Sequence, residues 1–100
     1  MKVILNFTVV PIGTGLSLSR YVAECEKIIK EAGLKSNLHA NGTNVEGEWD
    51  EVFNAIKKCH ERLHEMGVPR LFTSIQVGTR VDKPQTMDDK IKSVQEKLKQ

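Results

Sequence analysis

Long apolar runs are absent from this chain of 100 residues. The longest, Val3 to Leu5 and Val9 to Val10, fall far short of the roughly 18 residues that a membrane-spanning helix needs, and no apolar segment with a small-residue cleavage site follows Met1. A cytosolic protein with no membrane partner is therefore expected. Cysteine is scarce: Cys25 and Cys59 stand far apart with no C-x-x-C spacing, which points away from a zinc knuckle or a redox pair and toward two small buried hydrophobes. Aromatics are few, with one Trp, one Tyr and three Phe, too sparse for a base-stacking platform. Blocks of like charge are missing too. The 15 basic and 13 acidic residues are interspersed for a net charge of +2, so nothing in the pattern would track a phosphate backbone, and no nucleic-acid partner is expected. Too short for a second independent core, the chain reads as one domain over residues 1–100, built on the 39% of its residues that are hydrophobic.

What is present is a regular change of period. In residues 2–10 the odd positions Val3, Leu5, Phe7 and Val9 form an apolar row, while Ile4, Asn6, Thr8 and Val10 form a mixed one: a strand with one oily and one half-polar face. Pro11 to Gly15 breaks it, because proline removes a ladder donor and two glycines open turn geometries closed to other residues. From Ser17, the expected N-cap, Leu18, Val22, Cys25, Ile29 and Ala32 recur at spacings of four, three, four and three, the stripe of an amphipathic helix that Gly33 ends. Lys35 to Ala40 and Thr43 to Glu48 flank Asn41-Gly42, a pair that tolerates positive φ and so predicts a tight hairpin. Val52, Ile56, Cys59, Leu63 and Met66 repeat the helical arithmetic, and Gly67 with Pro69 stops it. Strand alternation returns in residues 70–80, with Leu71, Thr73, Ile75 and Val77 against Phe72, Ser74 and Gln76. Thr86 with Asp89 resembles a capping box that opens a last helix through Met87, Ile91, Val94 and Leu98.

The order β-α-β-β-α-β plus a terminal helix predicts an α+β, ferredoxin-like fold: an antiparallel sheet with two helices on one face and a C-terminal helix besides. The other sheet face would then carry Ile4, Val10 and Phe72 beside Asn6, Thr8, Ser74 and Gln76, too apolar for water and too polar for a core. A partner sheet or a ligand should cover it, and self-association through that face is the leading structural expectation. The terminal helix would cap the sheet edge or reach a neighbouring subunit; periodicity does not choose between them.

Three features carry possible chemistry. His60-Glu61-Arg62-Leu63-His64 matches H-E-x-x-H, in which two histidines one turn apart bind zinc and the glutamate activates water. The only other histidine, His39, falls in a distant strand, so a third ligand is lacking and a helix surface is the better reading. Gly13-Thr14-Gly15 stands where a phosphate-binding turn would, between strand and helix, but the third glycine of G-x-G-x-x-G would fall on Leu18 and no Gly-Lys-Ser/Thr occurs; a sharp loop suffices. Glu46 lies in an expected central strand near the only tryptophan. It either points to solvent, binds an internal Lys or Arg, or recognises a polar or cationic ligand, and Trp49 is either a core residue at the helix start or an aromatic wall for an organic cation.

Thr8-Val9-Val10-Pro11-Ile12-Gly13-Thr14-Gly15 with Ser17, Ser19 and Tyr21-Val22-Ala23, then His39 with Gly42-Thr43 and Val45-Glu46-Gly47, then Arg80 with Asp82-Lys83 and Met87 to Ile91, resemble the YkoF-like thiamine-binding family over nearly the whole chain. The resemblance extends to its single-domain members, fungal and archaeal ones included. It implies a ferredoxin-like fold, sheet-to-sheet dimers that pair into tetramers, and binding of thiamine or its pyrimidine moiety without turnover, hence no catalytic residues, no cofactor and no metal. Carried over position by position, it places Pro11, Ile12, Gly13, Thr14, Gly42, Thr43 and Glu46 at the small-molecule site, with His39 and Trp49 as secondary candidates. An aminopyrimidine suits a carboxylate and hydroxyls, and a thiazolium suits an aromatic or apolar wall. Two rivals stand beside this reading: an interaction protein whose oligomer is itself the functional object, and a metal hydrolase using His60, Glu61 and His64.

Overall fold

The apolar row of the first strand is what the domain is built around. In the computed structural model, which describes residues 1–100, β1 (Lys2–Ile12) turns Val3, Leu5 and Phe7 into the core, and each is almost wholly buried. Two helices cover that face. α1 (Ser19–Glu31) contributes Tyr21, Cys25 and Ile29, and α2 (Trp49–Glu65) contributes Val52, Ala55, Ile56, Cys59 and Leu63. Both helices end the same way. Gly33 and Gly67 take φ of +73° and +93°, and the next residue donates back to the core side of the helix, Leu34 to the Ile29 carbonyl and Val68 to the Leu63 carbonyl. This is a Schellman ending, which places the glycines at the one position where the left-handed region is required.

β2 (Lys35–His39), β3 (Gly42–Glu48) and β4 (Arg70–Thr79) complete a four-stranded antiparallel sheet in the order β2-β3-β1-β4. The α+β class, the strand succession and the helices on one face are as the periodicity predicts. Three local features differ. β1 runs on through the expected break at Pro11, which pairs with Leu71 as Ile12 does with Arg70, because the proline stands near the strand's end where a missing ladder donor costs little. The hairpin link is Ala40-Asn41, one residue earlier than expected: His39 pairs with Gly42, and neither link residue has positive φ. Gly42 serves a different end, since a Cβ there would lie 2.5 Å from Asn6 Oδ1 and 2.8 Å from Thr8 Oγ1; the glycine lets β3 approach the outer side chains of β1. At α1 the N-cap is Leu18 and no side chain caps it. Leu18 packs half-buried at the first turn, so apolar contact rather than the Ser17 hydroxyl sets the boundary.

The outer sheet face is uncovered over most of its length. Register puts Asn6 beside Gln76, Thr8 beside Ser74 and Val10 beside Phe72, whose ring is 65% exposed. β4 is also bare in part on the helix side, because the helices lie over β1, β2 and β3, leaving Ile75 and Val77 partly open. α3 (Met87–Leu98) begins on the outer face with the capping box formed as predicted: Asp89 N–H donates to Thr86 Oγ1 at 3.1 Å and Thr86 N–H to Asp89 Oδ2 at 3.0 Å. Only Met87 of this helix is buried; Ile91, Val94 and Leu98 stand in solvent, and the molecule measures 49 × 29 × 20 Å. No helix is long and apolar enough to cross a membrane.

Candidate functional site

A mostly apolar cavity of about 360 Å³ lies between the first half of α1, the tip of the β2–β3 hairpin and the middle of β1. Its walls follow from two periods meeting. Along α1, Leu18 and Val22 recur at i, i+4 and face the hairpin, while Tyr21 and Cys25 lie toward the core; β1 offers Phe7 and Val9, β2 offers Leu38, and Leu63 of α2 closes the floor. The size and the apolar walls are those of a small-molecule site.

Polar groups are few and localised. Glu26, four residues beyond Val22 on the same flank of α1, reaches the cavity half-buried, and Thr43 Oγ1 donates to its Oε1 at 2.6 Å. At the rim, Asn41 N–H donates to His39 Nδ1 at 3.4 Å, which leaves Nε2 to carry the proton and donate to Asn6 Oδ1 at 3.0 Å. Thr8 Oγ1 donates to the Asn41 carbonyl at 2.8 Å, so the hairpin tip is tied to β1 by side chains as well as by the ladder. Arg20 lies over the Tyr21 ring at 4.7 Å and donates to its hydroxyl at 2.6 Å, fixing that ring in the wall. Cys59 S–H is directed at the Cys25 carbonyl at 3.8 Å, and the Cys25 contact together with burial pushes the Cys59 thiol up, so it stays protonated and unreactive.

Of the residues expected at a site, His39, Gly42 and Thr43 border this cavity. Pro11, Ile12, Gly13 and Thr14 form the end of β1 and the turn that leads into α1; Gly13 has φ of +86°, and Thr14 Oγ1 is buried without a hydrogen-bond partner, but none of the four borders the cavity. Glu46 projects from the opposite face of the sheet. There, 9% exposed, it accepts from Met87 N–H at 2.9 Å and pairs with Lys35 at 3.7 Å, which is the internal-lysine role among those left open for it. It borders a smaller cleft of about 180 Å³ beneath the start of α3, with Lys2, Arg80 and Lys90. Trp49 opens α2 as expected but is 37% exposed, stacked on Phe53 at 4.7 Å between ring centroids, a rim residue rather than a core one.

His60 and His64 are each engaged separately: His60 Nε2 meets Thr73 Oγ1 at 2.5 Å, and His64 Nδ1–H donates to the Val68 carbonyl at 2.8 Å. Burial, and secondarily the neighbouring His64, lower the pKa of His60. No group of three His, Cys, Asp or Glu side chains is placed to hold a metal ion.

Glu26, Leu18, Tyr21 and Phe7 are the cavity residues that motif reading passes over. A signal was present for one of them: Leu18, Val22 and Glu26 share a single i, i+4, i+8 row, so a carboxylate continues an apolar stripe instead of lying opposite it.

Comparison with known proteins fits this architecture. A family model described as "Thiamine-binding protein" matches residues 5–95. The UPF0045 protein sll0230 of Synechocystis sp. is 57% identical over 95 residues, 95% of this chain and 78% of that protein. The UPF0045 protein ECM15 of Eremothecium gossypii is 44% identical over 99 residues, 98% of this chain and 94% of that protein. Among solved structures, protein MJ1052 of Methanocaldococcus jannaschii superposes with a TM-score of 0.88 at 34% identity, covering 95% of this chain and 97% of that one. Protein TM0486 of Thermotoga maritima shares the fold with a TM-score of 0.78 at 22% identity, over 94% of this chain and 99% of that one.

Proposed function

Because the chain belongs to the thiamine-binding protein family, we propose that it is a cytosolic binding protein for thiamine or its aminopyrimidine moiety, acting as a carrier, buffer or sensor without turnover. The ligand occupies the cavity between α1 and the hairpin. The observation that carries this reading is the combination found there: apolar and aromatic walls around about 360 Å³, with a single carboxylate and hydroxyl pair, Glu26 and Thr43, on one side. Flat apolar walls suit the rings, and an acceptor-only carboxylate suits N–H donors. Thr43, Gly42 and His39 line the site in this proposal.

The protein works as a homo-oligomer. The outer sheet face around Val10 and Phe72 and the stripe Ile91, Val94 and Leu98 on α3 are the surfaces that a second copy covers, giving dimers that pair into tetramers. These same surfaces favour the rival in which the assembly alone is the functional object.

Isothermal titration of the purified protein with thiamine, its phosphates, the aminopyrimidine fragment and zinc tests the proposal, with recovery of unaltered ligand as the check on turnover. Saturable heat with thiamine or the pyrimidine, and full recovery, is the expected result. At a hundredfold excess over Kd such a ligand stabilises the native state by about 2.7 kcal/mol. Silence toward every compound, with a defined oligomer in sedimentation, would leave the interaction-protein reading. Heat with zinc alone would direct attention to His60 and His64.

A further inference from the structure

The cavity between α1 and the hairpin contains one carboxylate, and no cation of the protein answers it. Glu26 is half-buried and lines the cavity; its Oε1 accepts from Thr43 at 2.6 Å, and Oε2 has no protein donor. Lys30, one turn beyond Glu26 on α1, is exposed and forms no ion pair with it. Lys27 and Arg62 pair instead with Glu24, at 3.2 and 3.4 Å. No lysine or arginine borders the cavity, and both ring nitrogens of His39 are used, on Asn6 and Asn41. A carboxylate withdrawn from water in this way is normally paired. Here the partner is left for the occupant to supply, while Phe7 and Tyr21 are the aromatic residues that line the same space.

We infer that Glu26 is a specificity-determining residue, selecting a flat heteroaromatic ligand that presents an exocyclic amine or a positive charge over an isosteric one that presents a carbonyl oxygen at the same place. The inference rests on the cavity being the ligand site. Its physical basis is that an ionised carboxylate only accepts: an amine gives it the missing donor, whereas a carbonyl sets lone pair against lone pair and leaves both groups desolvated. Thr43, by holding Oε1, leaves Oε2 free for that contact. Mismatches of this type are worth on the order of tenfold to a hundredfold in affinity.

The test is titration calorimetry on the full chain with thiamine and with its analogue carrying a carbonyl oxygen in place of the exocyclic amine. The parent is compared with Glu26→Gln and Glu26→Asp, and the ligand-free melting midpoint of each is recorded. The parent is expected to prefer the amine at least about tenfold. Glu26→Gln, which keeps an acceptor for Thr43 and adds a donor, is expected to lose about tenfold in thiamine affinity and to erase or reverse the preference; Glu26→Asp should retain part of it. Equal binding of both compounds by the parent, or an undiminished preference in a folded Glu26→Gln, overturns the role of Glu26 while the cavity stands as the site. Binding of neither compound by the parent overturns the cavity reading and the inference together.

Discussion

Two glutamates, on opposite faces of the same sheet, show how a single residue type is put to different work. Glu46, under the start of α3, has its charge answered twice over, by the Met87 N–H and by Lys35, and Lys35 is held in turn by Asp88. Glu26, in the α1 cavity, has a hydroxyl and no cation. Each lies beside a concavity, Glu46 the more deeply buried of the two. What separates them is whether the protein completes the electrostatics itself. A completed carboxylate is a fastening, here of α3 to the sheet; the uncompleted one in the apolar cavity is the group that the proposed ligand would answer.

The largest way to perturb this contrast is at the cavity floor. Leu63→Ala removes a fully buried side chain shared by the core and the cavity, and should destabilise the domain by about 2–5 kcal/mol in urea unfolding while enlarging the site. A value under about 1 kcal/mol would mean that the core and the cavity are not one packed unit. Next comes the fastening. Glu46→Gln weakens two charge-assisted contacts and should cost about 1.5–3 kcal/mol, read as accelerated amide exchange over residues 87–98 ahead of the sheet. Should thiamine affinity fall while α3 stays protected, the two glutamates would have to exchange roles.

Gly42→Ala probes the hairpin tip that borders the cavity. A methyl group within 2.5 Å of Asn6 Oδ1 and 2.8 Å of Thr8 Oγ1 forces those side chains apart, with an expected cost of about 1–3 kcal/mol and a matching loss of ligand affinity. An unchanged melting midpoint would show that the tip yields freely, and that its hydrogen bonds to β1 do not shape the site.

The smallest effects are in pH. His60 has its pKa lowered in the fold, so the unfolded chain binds more protons below about 6.5 and the contact of α2 with β4 loses stability as pH falls through that region. Asp89, held down by the Thr86 N–H, and Asp82, held at about 2 by Arg80, act lower: their contributions are present above about 3.8 and lost as pH drops toward 2. Histidine and α3 amide signals followed through an acid titration should therefore report the α2–β4 junction first and the α3 cap second. The reverse order would break the assignment of the two regions to separate electrostatic devices.

Much of the fold is legible along the chain because its determinants are local. The row Val3, Leu5 and Phe7, most of both helical stripes, the glycines after each helix and the Thr86–Asp89 box each involve residues within a few positions of one another, and they form; in the first stripe Ala32 is exposed and Tyr21 is buried instead. Ser17 and Asn41-Gly42 misled for a complementary reason. Their local preferences are real, but the packing of Leu18 at the first turn and the approach of Gly42 to Asn6 and Thr8 outweigh them.

The candidate site was legible in part. His39, Gly42 and Thr43 come together at the cavity, whereas Glu46 and Trp49, close to them in sequence, do not, because alternation along β3 sends Thr43 and Glu46 to opposite faces of the sheet. By itself the sequence determined the elements, their order, the polarity of each face and the family. Only the tertiary structure decided which glutamate is paired, since that depends on Lys35, Met87 and Thr43 arriving from distant parts of the chain, and Coulomb and hydrogen-bond partners are set by distance in space, not by separation along the backbone.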